Sequence, residues 1–166
     1  MSIDQLENYG LERMDGDAIS GFLAAQKTGV LGLPGDRSPY MIPLSYAFDG
    51  EDRLYFTYLL GPDSEKAQLT ADTEYARFLV YSIETMFNWQ SAMLEGTLTA
   101  VPESAWGDID HLLDNVWRPE ILRTAAMDGG IEVYAFDIES QTGIRHTGLA
   151  PGFREGVDQE QGTKES

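Results

Sequence analysis

The chain has no cysteine, few lysines and no long apolar run, and each absence removes a class of protein. Without cysteine in its 166 residues, it has no disulfide, no thiolate–metal site and no cysteine nucleophile. No apolar run reaches the roughly 20 residues that a transmembrane helix requires. The first 17 residues are acidic and lack the basic and apolar regions of a secretory signal, so we expect a cytoplasmic protein with no membrane association.

Positive charge is scarce as well. Twenty-eight acidic residues stand against eleven basic ones, which gives a formal net charge of −17. Such a surface repels phosphate backbones, so nucleic-acid binding is not expected. The acidic residues are spread along the chain, and repulsion at this density is tolerable where salt screens it. The composition therefore indicates a halophilic source, with an acidic mesophilic protein as the alternative.

What is present fits one globular domain. Hydrophobic residues make up 42% of the chain and aromatic residues 11%, which argues against disorder of the whole chain. We predict a domain over residues 15–147. A lead-in with weak structural signals precedes it over 1–14, and a flexible acidic tail follows it over 148–166.

Local patterns predict strands joined mostly by turns. Asp15 or Asp17 caps a helix that runs to about Lys27. A turn that leads into a short helix is predicted over 61–72, and a further helix over 102–116 that continues in part to 126. Pro43 places its strand at an edge or a bulge, and Gly96 is expected to bend its strand. Hairpin-linked strands of this number predict an antiparallel barrel and not a doubly wound parallel sheet. The predicted strands cover 29–33, 40–48, 53–60, 75–83, 89–101 and 129–140.

The residues around Lys66 form a candidate anion site. Lys66 is one of three lysines, with Lys27 and Lys164, and it begins the short helix together with Ser64. Backbone N–H groups at a helix start lack helical partners, and a nearby cation favours an anion there. Thr57 and Tyr58, at the end of the preceding strand, are candidates for further hydroxyl donors. On spacing alone the alternative is stronger, with Ser64 as a helix cap and Lys66 as a solvated charge.

Several short motifs occur in a recognisable order. They are residues 29–31, Pro39 with Pro43 and Tyr46, residues 54–56, Lys66, and Ser91 with Gly96. Over roughly residues 15–140 this pattern resembles the pyridoxamine 5′-phosphate oxidase-like family of FMN-binding proteins, in particular its nitroimidazole-resistance-type branch. The resemblance implies a mainly β fold, a six-stranded antiparallel split β-barrel of the FMN-binding type. It also implies a homodimer with FMN at the subunit interface.

The resemblance further implies which residues contact the flavin. The strand 41–46 lines the ring, 56–57 flank the ring and the ribityl chain, 64–66 contact the phosphate, and 90–91 reach the cofactor from a later strand. A flavin needs backbone donors, apolar cover and a cation for its phosphate, and these residue types agree with that need. The implied contacts are Met41, Ile42, Pro43, Leu44, Ser45, Tyr46, Phe56, Thr57, Ser64, Glu65, Lys66, Gln90 and Ser91.

Two positions and the C-terminal segment depart from the family pattern. Glu65 stands where relatives often carry an arginine beside the phosphate lysine. Met41 stands where pyridoxamine-phosphate oxidases proper commonly carry arginine. The C-terminal tryptophan and arginine that hold the pyridoxal substrate in those oxidases are not recognisable after residue 140. Pyridoxamine 5′-phosphate oxidase activity itself is therefore not expected.

Three functional hypotheses follow from the resemblance. The first is an FMN-dependent oxidoreductase that takes hydride from a nicotinamide donor and reduces a small acceptor molecule, with no catalytic residue assigned. The second is a flavin-binding carrier or sensor without turnover. The third is the same fold with a deazaflavin cofactor or haem. His146 is a candidate for contact with the flavin or substrate or for haem ligation, with an ordinary strand-end residue as the stronger alternative. His111 is interpreted as an exposed helix residue, and no metal site is expected.

Overall fold

The computed structural model describes residues 2–59, 64–114 and 130–148. No helix in these ranges is long and apolar enough to cross a membrane. The helices are α1 (Ile3–Leu6), α2 (Gly16–Ala25), α3 (Glu65–Ala71) and α4 (Trp106–Leu113), with 3₁₀ turns at Glu7–Tyr9 and Glu103–Ala105. The strands are β1 (Leu11–Arg13), β2 (Thr28–Leu33), β3 (Tyr40–Phe48), β4 (Arg53–Leu59), β5 (Ala76–Thr85), β6 (Asn88–Val101) and β7 (Ile131–Thr147).

Six of these strands close into an antiparallel barrel. The sheet order is β1-β7-β4-β3-β2-β5-β6, and a further pairing of β6 with β7 closes it. Along one edge β7 pairs with β6, and along the other it pairs first with β4 and then with β1. The predicted mainly β fold, a six-stranded antiparallel barrel with peripheral helices, is confirmed.

The two ends of the sheet extend beyond the sequence prediction. The last strand is predicted to end at residue 140 but continues to Thr147, and β1 lies within the predicted lead-in. In the pairing of β1 with β7, Glu12 stands opposite Arg145, whose Nε donates to the Glu12 carboxylate at 2.9 Å. Opposite charges across two strands stabilise their pairing. The polar end of β7 therefore forms a strand, since it pairs with β1 on one side and with β6 on the other. The predicted helix beyond 114 and the tail beyond 148 lie outside the described residues.

Pro43 and Gly96 occupy the positions that their chemistry predicts. β4 pairs with β3 only at residues 46–48, so Pro43 lies on a strand edge and faces β2 alone. At Gly96 the register between β6 and β7 shifts. A Cβ at Gly96 would lie 2.0 Å from the carbonyl oxygen of Asp137, so the close approach of the two backbones requires glycine.

The barrel interior is filled by aromatic and aliphatic side chains. Phe56 is 0% exposed, and its ring centroid lies 4.8 Å from that of Phe78 and 5.9 Å from that of Phe136. On the outer side of β3, β4 and β7, a second cluster forms where Ile109 and Leu113 of α4 pack. β4 is thus covered on both faces, whereas the outer face of β5 and β6 leaves large apolar side chains exposed, among them Tyr81, Ile83 and Met93.

Candidate functional site

A split opens in the barrel wall where β3 and β4 separate. The N–H of Tyr46 donates to the carbonyl of Lys27 at 3.1 Å, on the side of β2. Backbone N–H and C=O groups point to alternate sides along a strand. The backbone polar groups of Met41, Pro43 and Ser45 therefore point to the other side of β3, toward β4. The β3–β4 ladder ends at Tyr46. Within the described ranges, the N–H groups of Met41 and Ser45 and the carbonyl of Pro43 therefore face the split without a strand partner.

The predicted contacts on β3 and β4 divide between two faces. Met41, Pro43, Ser45 and Thr57 lie on the outer face, where they are exposed or half-buried. The other four lie on the inner face. Tyr46 donates its hydroxyl to the carbonyl of Leu23 at 2.7 Å, and burial raises the pKa of that phenol. These four side chains belong to the barrel core; they are Ile42, Leu44, Tyr46 and Phe56.

Lys66 lies in the first turn of α3 and is half-buried. Its Nζ is 4.5 Å from the centroid of the Tyr58 ring, and burial lowers the pKa of the ammonium. Ser64 caps α3, because its Oγ accepts the N–H of Ala67 at 3.3 Å. The side chain of Glu65 is exposed to solvent. A half-buried ammonium attracts an anion more strongly than a solvated one, because the effective dielectric constant around it is lower.

The hydroxyl of Tyr58 does not face this site, contrary to the sequence expectation. Tyr58 is 0% exposed, and its hydroxyl oxygen lies 3.0 Å from Oγ1 of Thr70. Burial raises the pKa of Tyr58 to about 12, so the phenol stays neutral at physiological pH. Sequence reasoning missed the contact between Tyr58 and Thr70 because nothing in the pattern relates the end of a strand to the last turn of the next helix.

Within one chain, Gln90 and Ser91 are separated from the split. On the side of β3, the sheet order places β2 and β5 between β3 and β6, and three strand spacings amount to about 14 Å. On the side of β4, β7 lies in between, and Ser91 stands opposite Ile144 whereas β4 pairs with β7 only at residues 131–137. Ser91 stands on the outer face, because the neighbouring Ala92 is buried in the barrel. The sequence prediction groups these two residues with Lys66, but one chain alone does not bring them together.

An apolar groove of about 430 Å³ lies on the outer face of the four strands β3, β2, β5 and β6. Val30, Met41, Leu79 and Met93 are among the residues that line it. Met41 belongs both to this groove and to the edge of the split, and it is 64% exposed. The charged residues of the lining are Arg77 and Glu95, which form an ion pair at 3.1 Å. The groove is therefore apolar and carries no net charge.

His146 has a structural position. Its Nδ1 lies 2.5 Å from the carbonyl oxygen of Phe87, and its Nε2 lies 2.9 Å from that of Tyr9. Both ring nitrogens thus contact backbone oxygens, and the ring ties the N-terminal segment to the β5–β6 hairpin. This geometry does not support haem ligation by His146. In the part of the chain that the structure describes, no group of three or more histidine or carboxylate side chains is placed to hold a metal.

Comparisons with known proteins agree with the barrel. Among solved structures, an FAD-binding protein from Mesorhizobium loti has a TM-score of 0.67 at 18% identity, covering 83% of this chain and 98% of that one. The FAD and heme binding protein from Mycobacterium smegmatis has a TM-score of 0.64 at 16% identity, with 90% and 80% covered. A candidate 5-nitroimidazole antibiotic resistance protein from Bacteroides thetaiotaomicron has a TM-score of 0.60 at 15% identity, with 82% and 89% covered.

Sequence comparison identifies the family. A search of curated proteins found no significant match. A family model described as pyridoxamine 5′-phosphate oxidase matches residues 15–145, which include β2 to β6 and most of β7. Since this match spans most of the domain, the chain belongs to the pyridoxamine 5′-phosphate oxidase family.

Proposed function

We propose that this protein binds FMN and works as an oxidoreductase, with a nicotinamide as electron donor and a small molecule as acceptor. The split between β3 and β4 carries the proposal. Among the described residues, the N–H groups of Met41 and Ser45 face it without strand partners, and Lys66 lies over Tyr58, the neighbour of Thr57. A flavin mononucleotide needs donors along its polar ring edge and a cation for its phosphate.

The residues at the split fit this cofactor. We assign Met41, Pro43 and Ser45 to the ring edge, Thr57 to the ring and ribityl chain, and Ser64 with Lys66 to the phosphate. Bound FMN would supply the redox chemistry, whereas the chain binds it, orients it and excludes water. Glu65 is exposed and is given no role at the phosphate.

A homodimer is part of the proposal. Gln90 and Ser91 would complete the site from a second copy, since within one chain β2 and β5 separate them from β3, and β7 separates them from β4. The face that contains the groove also exposes Tyr81 and Ile83, the latter 69% exposed. Exposed apolar surface of this kind is typical of interfaces. In a chain of net charge −17, a face without net charge is where two like-charged copies repel each other least.

The composition supports the remaining parts of the proposal. The absence of cysteine is compatible with the cytoplasm, and the large negative charge is compatible with a high-salt habitat. Membership of the nitroimidazole-resistance-type branch stays a hypothesis. FAD is the second candidate cofactor, because the Mesorhizobium loti relative is named for FAD binding.

Identification of the ligand released by denaturation tests the cofactor directly. Mass spectrometry would distinguish FMN from FAD and from a deazaflavin, and a Soret band would indicate haem. Bleaching of the bound flavin by a reduced nicotinamide, followed by reoxidation with an added acceptor, would support an oxidoreductase. A flavoprotein that neither donor nor acceptor affects would instead be a binding module.

Replacing Lys66 with methionine should weaken FMN binding by about 1.5–3 kcal/mol, the range for hydrogen bonds to charged groups. This corresponds to an increase of roughly 10- to 150-fold in Kd. Riboflavin, which lacks the phosphate, should bind Lys66→Met and the native chain equally well. Titration of flavin fluorescence measures both ligands. Lys27→Met removes an exposed lysine and serves as the matched control, and unchanged FMN affinity in Lys66→Met would remove this residue from the site.

Replacing Leu79 with glutamate should dissociate the proposed dimer. Leu79 lines the apolar groove, so two uncompensated carboxylates would be buried where the copies meet, at a cost of several kcal/mol. Sedimentation equilibrium should then show a monomer that also binds FMN more weakly, since Gln90 and Ser91 of the second copy are lost. Ala25→Glu adds the same charge at an exposed position of α2 and should leave the assembly unchanged. A native chain that is monomeric would contradict the proposal.

A further inference from the structure

We infer that Tyr58 is a positioning residue that holds the ammonium of Lys66 ready for the cofactor phosphate. The inference rests on the proposed function, because it takes the phosphate as the partner of Lys66. Three residues form a closed circuit of contacts. Lys66 Nζ lies 4.5 Å from the centroid of the Tyr58 ring, and the Tyr58 hydroxyl lies 3.0 Å from Oγ1 of Thr70. The Thr70 hydroxyl in turn donates to the carbonyl of Lys66 at 2.7 Å.

The direction of the hydrogen bonds in the circuit is determined. A threonine hydroxyl has one proton, and Thr70 gives it to the carbonyl of Lys66. Tyr58 must therefore donate to Thr70. Tyr58 thus holds both parts of Lys66. Its hydroxyl holds the backbone through Thr70, and the face of its ring contacts the ammonium.

The Tyr58 ring is itself fixed. It is 0% exposed, and its centroid lies 4.5 Å from that of Tyr134, whose hydroxyl donates to Glu132 at 2.8 Å. An ammonium on the face of an aromatic ring is attracted by the ring quadrupole. A free lysine side chain has many rotamers and loses this freedom when it binds an anion. Holding the ammonium beforehand reduces that loss, which is the physical gain from preorganisation.

The lysine content of the chain makes the contact measurable without a ligand. The protein has three lysines, so protein labelled with carbon-13 at the lysine ε carbon gives three methylene signals. Ring current from Tyr58 should move the protons of one signal upfield, and Lys66→Met should remove that signal. Tyr58→Leu should return it to the position of the other two, whereas Tyr58→Phe, which keeps the ring, should retain the shift. Three signals without an upfield shift in the native chain would overturn the inference even if the leucine variant does not fold.

A double-mutant cycle tests the consequence for binding. Tyr58→Leu should weaken FMN binding by about tenfold, in the range of a partly desolvated cation–π contact, and should leave riboflavin binding unchanged. Tyr58→Phe should restore most of the FMN affinity. In the Lys66→Met background, Tyr58→Leu should have no further effect on FMN, because the group that it positions is absent.

The outcomes separate this inference from the proposed function. If Lys66→Met weakens FMN binding but Tyr58→Leu does not, the phosphate contact stands and the positioning role is wrong. If Tyr58→Leu weakens FMN and riboflavin equally, its effect is structural and the positioning role is again wrong. If Lys66→Met binds FMN as tightly as the native chain, the proposed phosphate contact fails, whereas the ring-current measurement still reports whether Tyr58 holds the lysine.

Discussion

Replacing Phe56 with alanine should lower the free energy of unfolding by about 3–5 kcal/mol, the cost of removing a large aromatic ring from a packed core. The Phe56 ring lies between Phe78 and Phe136, with centroid distances of 4.8 and 5.9 Å. Neighbours that belong to different strands of a closed barrel cannot collapse fully into the space, so a cavity remains. Urea unfolding followed by tryptophan fluorescence would measure the change.

The same variant distinguishes two roles for Phe56. The family resemblance implies a flavin contact, whereas the structure places the side chain inside the barrel at 0% exposure. We therefore expect the folded fraction of Phe56→Ala to bind FMN with the affinity of the native chain. Tyr9→Ala, which removes an exposed aromatic side chain, should change stability by no more than about 0.5 kcal/mol. A loss of FMN affinity without a loss of stability in Phe56→Ala would contradict the core assignment.

Replacing Gly96 with alanine should cost about 3 kcal/mol of stability, at the upper end for forcing extra volume into a packed site. The added Cβ would lie 2.0 Å from the carbonyl oxygen of Asp137 and 2.9 Å from its carbonyl carbon. These are backbone atoms of the paired strand β7, so no side-chain rotation relieves the contact. The β6–β7 ladder would have to open at the bulge that closes the barrel. Thermal unfolding by circular dichroism gives the measurement.

Gly21 provides the matched control for this substitution. It lies inside α2, and a Cβ there would meet no atom within 4 Å. Alanine is favoured over glycine in a helix by about 1 kcal/mol, so Gly21→Ala should stabilise the protein. The same chemical change is thus expected to have opposite signs at two glycines. A mild effect at Gly96 would show that the two strands can separate locally without loss of the fold.

The sequence predicted the barrel well where one residue type determines local geometry. Pro43 indicated a strand edge, and Gly96 indicated a bend, because each changes what the backbone itself can do. The end of β7 was missed because its residues after 140 carry no strand pattern of their own. They are ordered by long-range pairing with β1 and β6, and no local propensity contains that information.

The candidate site was predictable in part. Scarcity of lysine and the family pattern pointed to Lys66, and the structure finds it half-buried against an aromatic ring. The resemblance named whole segments of β3 and β4 without separating their two faces, so it included Tyr46 and Phe56, whose side chains are buried. The burial of alternate residues along β3 would have separated them. The circuit of Tyr58 and Thr70 depends on how α3 packs against β4, which no sequence pattern reports.

The position of β7 also determines the order in which the molecule is assembled. Without β7, the remaining barrel strands form an open five-stranded sheet, β4-β3-β2-β5-β6. Its two edge strands, β4 and β6, both pair with β7 in the complete barrel. Leu11 pairs with His146, so most of the chain lies between these two paired residues. High contact order of this kind slows folding. During synthesis the exposed edges of β4 and β6 therefore persist until the C-terminal strand leaves the ribosome, and they are the surfaces that a chaperone or a neighbouring nascent chain would meet.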